Sequence, residues 1–441
     1  MKVQRRIHPL LLVVQIVLVL LLVVRCHSNK ETTDSSKQKD SAFVFTTPKV
    51  LDMESCIDAH FEFHPDELIL KDSTGLLSLS DIADDVEYVL LKASNGKQEI
   101  YFDRVPHIFL SQNYIFVQLD DNVVQYDRQG NLIRTIGRQG AGPGEYNWVF
   151  EMAVDELQKK LFVSCSGKIN VYDFEGKFIR AIKSTYDDKF IPLDSNYFAA
   201  EVPNLWHDVK DRLVILDKEG KVEKRFPRHR LFPHTDFVLV SSEDTKVPRL
   251  SRFGDVVYFN ERYNDTIFEI KNKELQMRYF MDWGKYAMKM EYFYERKKYD
   301  LKFKECLWIR LFEADRFAVM PSSRFALTLV YDKKTDQLRA AFPPSFTSEG
   351  DSIFRKYFHQ ERRGFYNDID GGLVQDVKNM SLDCKYILSF YPAYDVKEFL
   401  EETGYQEHVL YPEKQKKLKA LIETIDDDKH NMLIMMSKLK Q

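Results

Sequence analysis

The chain has 441 residues, 44% of them hydrophobic and 30% charged, a globular composition that excludes a disordered or fibrous protein. Its 64 Lys and Arg are interspersed with 68 Asp and Glu for a net charge of −4, and no basic stripe stands out. Nucleic acid is therefore not an expected partner.

Residues 1–25 read as a signal peptide. Lys2, Arg5 and Arg6 form a positive start, and residues 10–24 are apolar except for Gln15. At about 1.5 Å per residue that apolar run spans roughly 22 Å as a helix, short of the ~30 Å hydrocarbon core of a membrane. Cys26 follows at once, so it is the expected lipid-attachment residue, although Arg25 stands where such sites prefer a small residue. A retained N-terminal anchor is the alternative. Residues 26–45 then form a polar tether rich in Ser, Thr, Asp, Lys and Gln, and 46–441 the folded domain.

Strand-like runs appear at 67–70, 87–91 and 114–119. Residues 123–136 contain two alternating apolar runs hinged at Gly130-Asn131, the pattern of a β-hairpin. A glycine-rich run follows, Gly137-Arg138-Gln139-Gly140-Ala141-Gly142-Pro143-Gly144-Glu145-Tyr146. A phosphate cradle needs a helix behind its glycines, but residues 147–154 look extended and no Gly-Lys-Ser/Thr closes the loop. The run reads as a turn joining strands.

The hairpin recurs at 168–180 and 212–226. Tyr126, Tyr172 and Leu216 hold the same place before an Asp and a turn Gly, at spacings of 46 and 44 residues. Looser copies lie at 266–275 and 327–338. Short strands repeating every 40–50 residues mark propeller blades, because one blade cannot bury both faces of its small sheet. The fold expected is all-β, a β-propeller of six blades of four-stranded antiparallel sheets, with five and seven as alternatives. Helical insertions are expected in the C-terminal half, near 285–304 and 395–425, where Glu and Lys are dense and Gly is scarce. In the second of these Pro412 is expected to interrupt, leaving the helix to the later part. Residues 431–439 read as a final strand that closes the ring by joining a blade begun near the N-terminus.

The succession Ala-Val-Asp, Leu-Phe-Val, Ile-x-Val-Tyr-Asp, Glu-Gly-Lys-Phe-Ile-Arg at 153–180 resembles an NHL-type repeat. Residues 136–146, with Asp282-Trp283-Gly284-Lys285-Tyr286 and Asn367-Asp368-Ile369-Asp370-Gly371-Gly372, resemble the six-bladed propellers of Bacteroidetes-type envelope lipoproteins. That resemblance implies a propeller fold and an outer-membrane or other envelope address, and it brings no catalytic residues.

Candidate chemistry is sparse. His60, Glu62 and His64 would share one face of a strand, but side chains two apart lie roughly 7 Å from each other, awkward for one zinc ion. His207, His229 and His234 lie in connections that could reach a channel mouth. No Gly-x-Ser-x-Gly, His-Glu-x-x-His or Cys-x-x-Cys motif occurs. Cys56, Cys165, Cys306 and Cys384 are widely spaced and read as buried thiols, a disulfide being the lesser reading. Tyr146, Trp148, Trp206 and Tyr366 either stack on a sugar or fasten blades together, and fastening is preferred. The function expected is a lipid-anchored, monomeric binding module for a protein or carbohydrate, with no cofactor. The alternative is a metal-dependent hydrolase or lyase at the channel mouth.

Overall fold

The computed structural model describes residues 47–441 except 65–66, 72–74, 103–105, 166, 187–188, 203–208, 229–248, 262–263, 290–291, 293–295, 304–305, 323–325, 343–355, 359–363 and 427. Six antiparallel four-stranded sheets form a ring, a six-bladed β-propeller. From the axis outward, blade one consists of His107–Leu110, Tyr114–Gln118, Val123–Asp127 and Leu132–Ile136. Blade two runs from Glu151–Asp155 to Phe178–Lys183, and blade three from Phe190–Pro192 to Val222–Pro227. Blade four runs from Leu250–Phe253 to Glu274–Asp282, and blade five from Phe312–Glu313 to Gln337–Ala341. Blade six is assembled from both ends of the domain. Asn379–Met380, Tyr386–Pro392 and His430–Leu439 are completed by Ala83–Lys92 on the outside. This is the expected closure.

The repeated Asp and Gly explain themselves at the turns between third and fourth strands. The Asp127 carboxylate accepts from the Gln129 and Asn131 amides at 2.9 Å, and Asp173 and Asp217 accept from Lys177 and Lys221 at 2.8 Å. Gly130, Gly176 and Gly220 then take φ of +81°, +82° and +85°. Each of these turns also lies against the outer strand of the preceding blade, Gly130 on Leu90 and Gly220 on Lys183. Apolar side chains fill the space between adjacent sheets. Phe162 of blade two, for example, meets Phe198 of blade three edge-on, ring centres 5.3 Å apart.

Each junction between inner strands is also bridged by a polar side chain, most often onto a neighbour's carbonyl. Gln118 donates to Phe150, Asn260 to Ile309 and Asn379 to Ile108, at 3.3, 3.0 and 2.8 Å. Arg252 donates to Pro192 and Leu193, and Arg310 to Lys378. Between blades two and three the bridge is an ion pair, Lys189 to Glu151 at 2.5 Å.

The segment before blade six wraps the outside of half the ring. Lys49–Asp52 pairs in parallel with the outer strand of blade four. The Asp52 side chain caps the helix Met53–His60, which buries Met53 and Ile57 one turn apart. Leu77 bonds to Ala340 of blade five and Leu79 to Tyr366 before the chain enters blade six. The wrap covers sheet edges that would otherwise stand open.

Helices do occur in the C-terminal half, with bounds that differ from expectation. Among the described residues the first region holds a 3-10 turn, Gly284–Tyr286, and a helix, Arg296–Phe303. The second holds two helices, Ala393–Thr403 and Pro412–Glu423. Pro412 starts the second helix rather than interrupting one, since the first turn needs no N–H from it. Gly404 ends the first at φ +74°.

Candidate functional site

The two faces of the ring are built differently. On one, the turns linking first to second strands (111–113, 156–159, 194–196, 254–255) and third to fourth strands (128–131, 174–177, 218–221, 272–273) are all tight. On the other lie the connections between blades and between second and third strands, including 283–311, 342–378 and the helical 393–429. Among the described residues, the long connections therefore open on the face where the inner strands begin. Long connections on a rigid scaffold are where propellers place binding residues.

The chain enters each inner strand on that face through an ionisable residue. These are His107, Glu151, Lys189, Arg249, Arg310 and Lys378, one from each blade in turn. Further charges from the same rim pair with each other. Arg212 and Arg228 converge on Glu261 at 3.1 and 2.5 Å, and Lys378 meets Asp376 at 2.6 Å. The guanidinium of Arg212 is fully buried and also lies over the Phe268 ring, 4.6 Å from its centre. Glu201 closes the second strand of blade three here. Burial raises its carboxyl above the ordinary range, against the pull of Arg249, Lys189 and Arg228. Burial likewise pushes the Arg310 guanidinium down to about 10, with Asp376 opposing and Arg249 adding to the fall. Arg310 thus keeps its charge at neutral pH. Beside the rim a cleft of about 20 Å³, lined in part by Arg249, Asn260, Glu261 and Trp308, has room for about one water. That cleft itself has no room for a larger ligand.

Residues 61–438 match a family described as a domain of unknown function, DUF4934. The chain belongs to the DUF4934 family. Its fold is shared with a candidate exported protein of Bacteroides fragilis, at 14% identity and a TM-score of 0.61, over 83% of this chain and 97% of that one. A member of the DUF4221 family from Bacteroides vulgatus matches at 11% identity and a TM-score of 0.42, over 81% and 98% of the two chains. The extracellular domain of a one-component system of B. thetaiotaomicron matches at 11% identity and 0.31, over 63% and 34%. No curated protein matches the chain significantly.

The glycine-rich run of this DUF4934 chain is a clasp between blades one and two. Its Gly142 amide turns onto the Glu145 carboxylate at 2.8 Å, which Arg138 also meets at 2.6 Å. The loop's own carboxylate thus occupies the place that a phosphate would need. Tyr172 donates to the Gly144 carbonyl at 2.9 Å, and the Tyr146 hydroxyl accepts from the Val123 amide at 3.1 Å. Tyr146 is 2% exposed and is a fastener, as preferred. Trp148 is 49% exposed, and the Val149 amide beside it bonds to Asp120 on the insertion-bearing face. The Tyr366 hydroxyl donates to Gln406 at 3.3 Å, and Trp206 lies outside the described residues.

His60 is the last residue of the helix Met53–His60, and only Phe61–His64 is strand. The three-residue face proposed for His60, Glu62 and His64 therefore does not form. The Asp52 cap and the apolar residues at 53 and 57 impose helix up to His60. Among the described residues no three His, Cys, Asp or Glu come together to hold a metal ion. His207, His229 and His234 lie outside the described residues, as does Cys26. Cys56, Cys165, Cys306 and Cys384 form no disulfide; Cys165 and Cys306 are buried, while Cys56 and Cys384 are partly so.

Asn367-Asp368-Ile369-Asp370-Gly371-Gly372, noted in the sequence for its resemblance, is a buried knot behind the rim. Asp370 accepts from Asn367, Gly372 and Tyr88 at 2.7, 3.0 and 3.1 Å. Asp368 accepts from Ser80 of the outer wrap at 2.9 Å. The motif ties wrap, blade six and helical cap together, and its role is structural. The charged rim was missed by sequence reading because a single charge before each apolar strand shows no period until the strands are delimited.

Proposed function

We propose that this DUF4934 chain is an exported propeller, held at the outer membrane by a lipid on Cys26, that binds a carbohydrate or partner protein without transforming it. The observation that carries the reading is the concentration, among the described residues, of the long connections, a charged rim and the exposed Trp148 on one face. The fold relative among exported proteins and the apolar run before Cys26 support the address. Among the described residues no helix is long and apolar enough to cross a membrane.

Two measurements test it. Radioactive fatty acid is expected to label the protein, and Cys26→Ala is expected to abolish the label and release the chain from the membrane fraction. Two or more acyl chains hold a protein stably, whereas one is marginal. Unlabelled wild-type protein with residues 1–25 still attached would replace the lipid with a retained anchor. For binding, hydrogen exchange of the purified protein with envelope polysaccharides or envelope proteins is expected to show protection at 119–122, 261–265 and 393–429. Protection confined to 128–131, 174–177 and 218–221 would place binding on the other face. Turnover of the bound material, abolished by a chelator, would put a hydrolase or lyase in place of a binding module.

A further inference from the structure

The geometry points to Arg310, supported by Arg249, as the receptor for an oxyanion, a carboxylate or sulfate presented by the ligand at the mouth of the channel. This inference rests on the binding reading of that face and names the chemistry it selects. Arg310 reaches across from blade five to the Lys378 carbonyl of blade six and lies over the Phe312 ring. Its guanidinium has five donors, and among the described residues no carboxylate stands within ion-pair distance of it. The neighbouring charges are already committed. Lys189 is held by Glu151 and Lys378 by Asp376, while Arg212 and Arg228 share the single carboxylate of Glu261. Arg249, 5% exposed, faces Glu201 as well as Arg310.

A cation sunk among protein atoms without a carboxylate partner is costly unless an anion completes it. Arg310 as a whole residue is nevertheless only partly buried. The planar fork of a guanidinium matches carboxylate and sulfate oxygens in pairs, which an ammonium does not. The adjoining cleft holds about one water, so the anion is the end of a ligand whose body lies outside, near the insertions.

The test uses the purified chain and three sodium salts at matched ionic strength: sulfate, glucuronate and chloride. Melting temperature is followed against concentration. Wild-type protein is expected to show a saturating rise with sulfate or glucuronate and none with chloride, and whichever salt saturates identifies the oxyanion. A general salting effect is linear in concentration and the same in every variant. Arg310→Gln is expected to weaken the saturating response by about tenfold or more, and Arg310→Lys to recover part of it. Should Arg310→Gln fail to fold, the wild-type titration and Arg310→Lys decide alone. A purely linear response in wild type, or a saturating one unchanged in the Arg310 variants, overturns the assignment. Hydrogen-exchange protection of the same face by a neutral polysaccharide would persist in that case, so the binding reading fails or stands separately.

Discussion

A chain cut after Lys429 is expected to yield no soluble, cooperatively folding protein. The strand His430–Leu439 lies between Tyr386–Pro392 and Ala83–Lys92, so it joins the two ends of the domain within blade six. Its removal leaves the outer strand of blade six without its pairing partner and opens the ring. Met432, Leu433, Ile434, Met435, Met436 and Leu439 are all buried, and they feed three separate apolar clusters. At about 1.5–3 kcal/mol per buried side chain they represent on the order of 10 kcal/mol. Whole-protein stabilities are roughly 5–15 kcal/mol, so little or nothing remains. The measurement is yield in the soluble fraction with a thermal melt, beside a control ending at Lys440, which keeps the whole strand. A truncated chain that melts cooperatively within a few degrees of the control would show that closure is dispensable.

How much of this was legible varies along the chain, for physical reasons. Blades one to three announce themselves because Asp127, Asp173 and Asp217 each cap a turn whose glycine has positive φ. Blade four closes instead with a two-residue turn, Asn272 and Lys273 at φ +52° and +60°, and blade five carries Asp336 at +58°, so the glycine signal vanishes while positive φ remains. Blade six has no continuous repeat to find, because one of its strands comes from the other end of the domain. Only the apolar run at 431–439 hinted at it. The helix at Met53–His60 was legible too: Asp52 and Ser55 form its cap, and Met53 and Ile57 are one turn apart. The short alternation in His-Phe-Glu-Phe-His hid it. The rim is a different case. Arg310 becomes notable only when a carbonyl from the next blade is its partner and the nearby carboxylates are engaged elsewhere. Pairings across such separations leave no local pattern.

Gly130→Ala is expected to be the most damaging of the glycine substitutions at exposed-looking turns. The conformation alone, at φ +81°, costs an alanine roughly 1–2 kcal/mol. A Cβ there would stand 2.0 Å from the Leu90 carbonyl oxygen and 2.8 Å from its carbon, backbone atoms of the outer strand of blade six. That strand must move, or the Lys92 amide must give up its 2.9 Å bond to the Gly130 carbonyl. Such overpacking adds about 1–3 kcal/mol, for a total of roughly 2–5 kcal/mol. Two other glycines separate the contributions. Gly96 has φ +80° with nothing within 4 Å, so Gly96→Ala carries the conformational cost alone. Gly176, at φ +82°, would meet the end of the Ile136 side chain at 3.1 Å, which can yield. Urea midpoints are therefore expected to fall in the order Gly96→Ala, Gly176→Ala, Gly130→Ala, the last by the widest margin and with an unchanged slope. Equal losses at Gly96 and Gly130 would mean that the turn does not press on the outer strand of blade six. The contact between blade one and blade six would then be looser than the hydrogen bond from Lys92 requires.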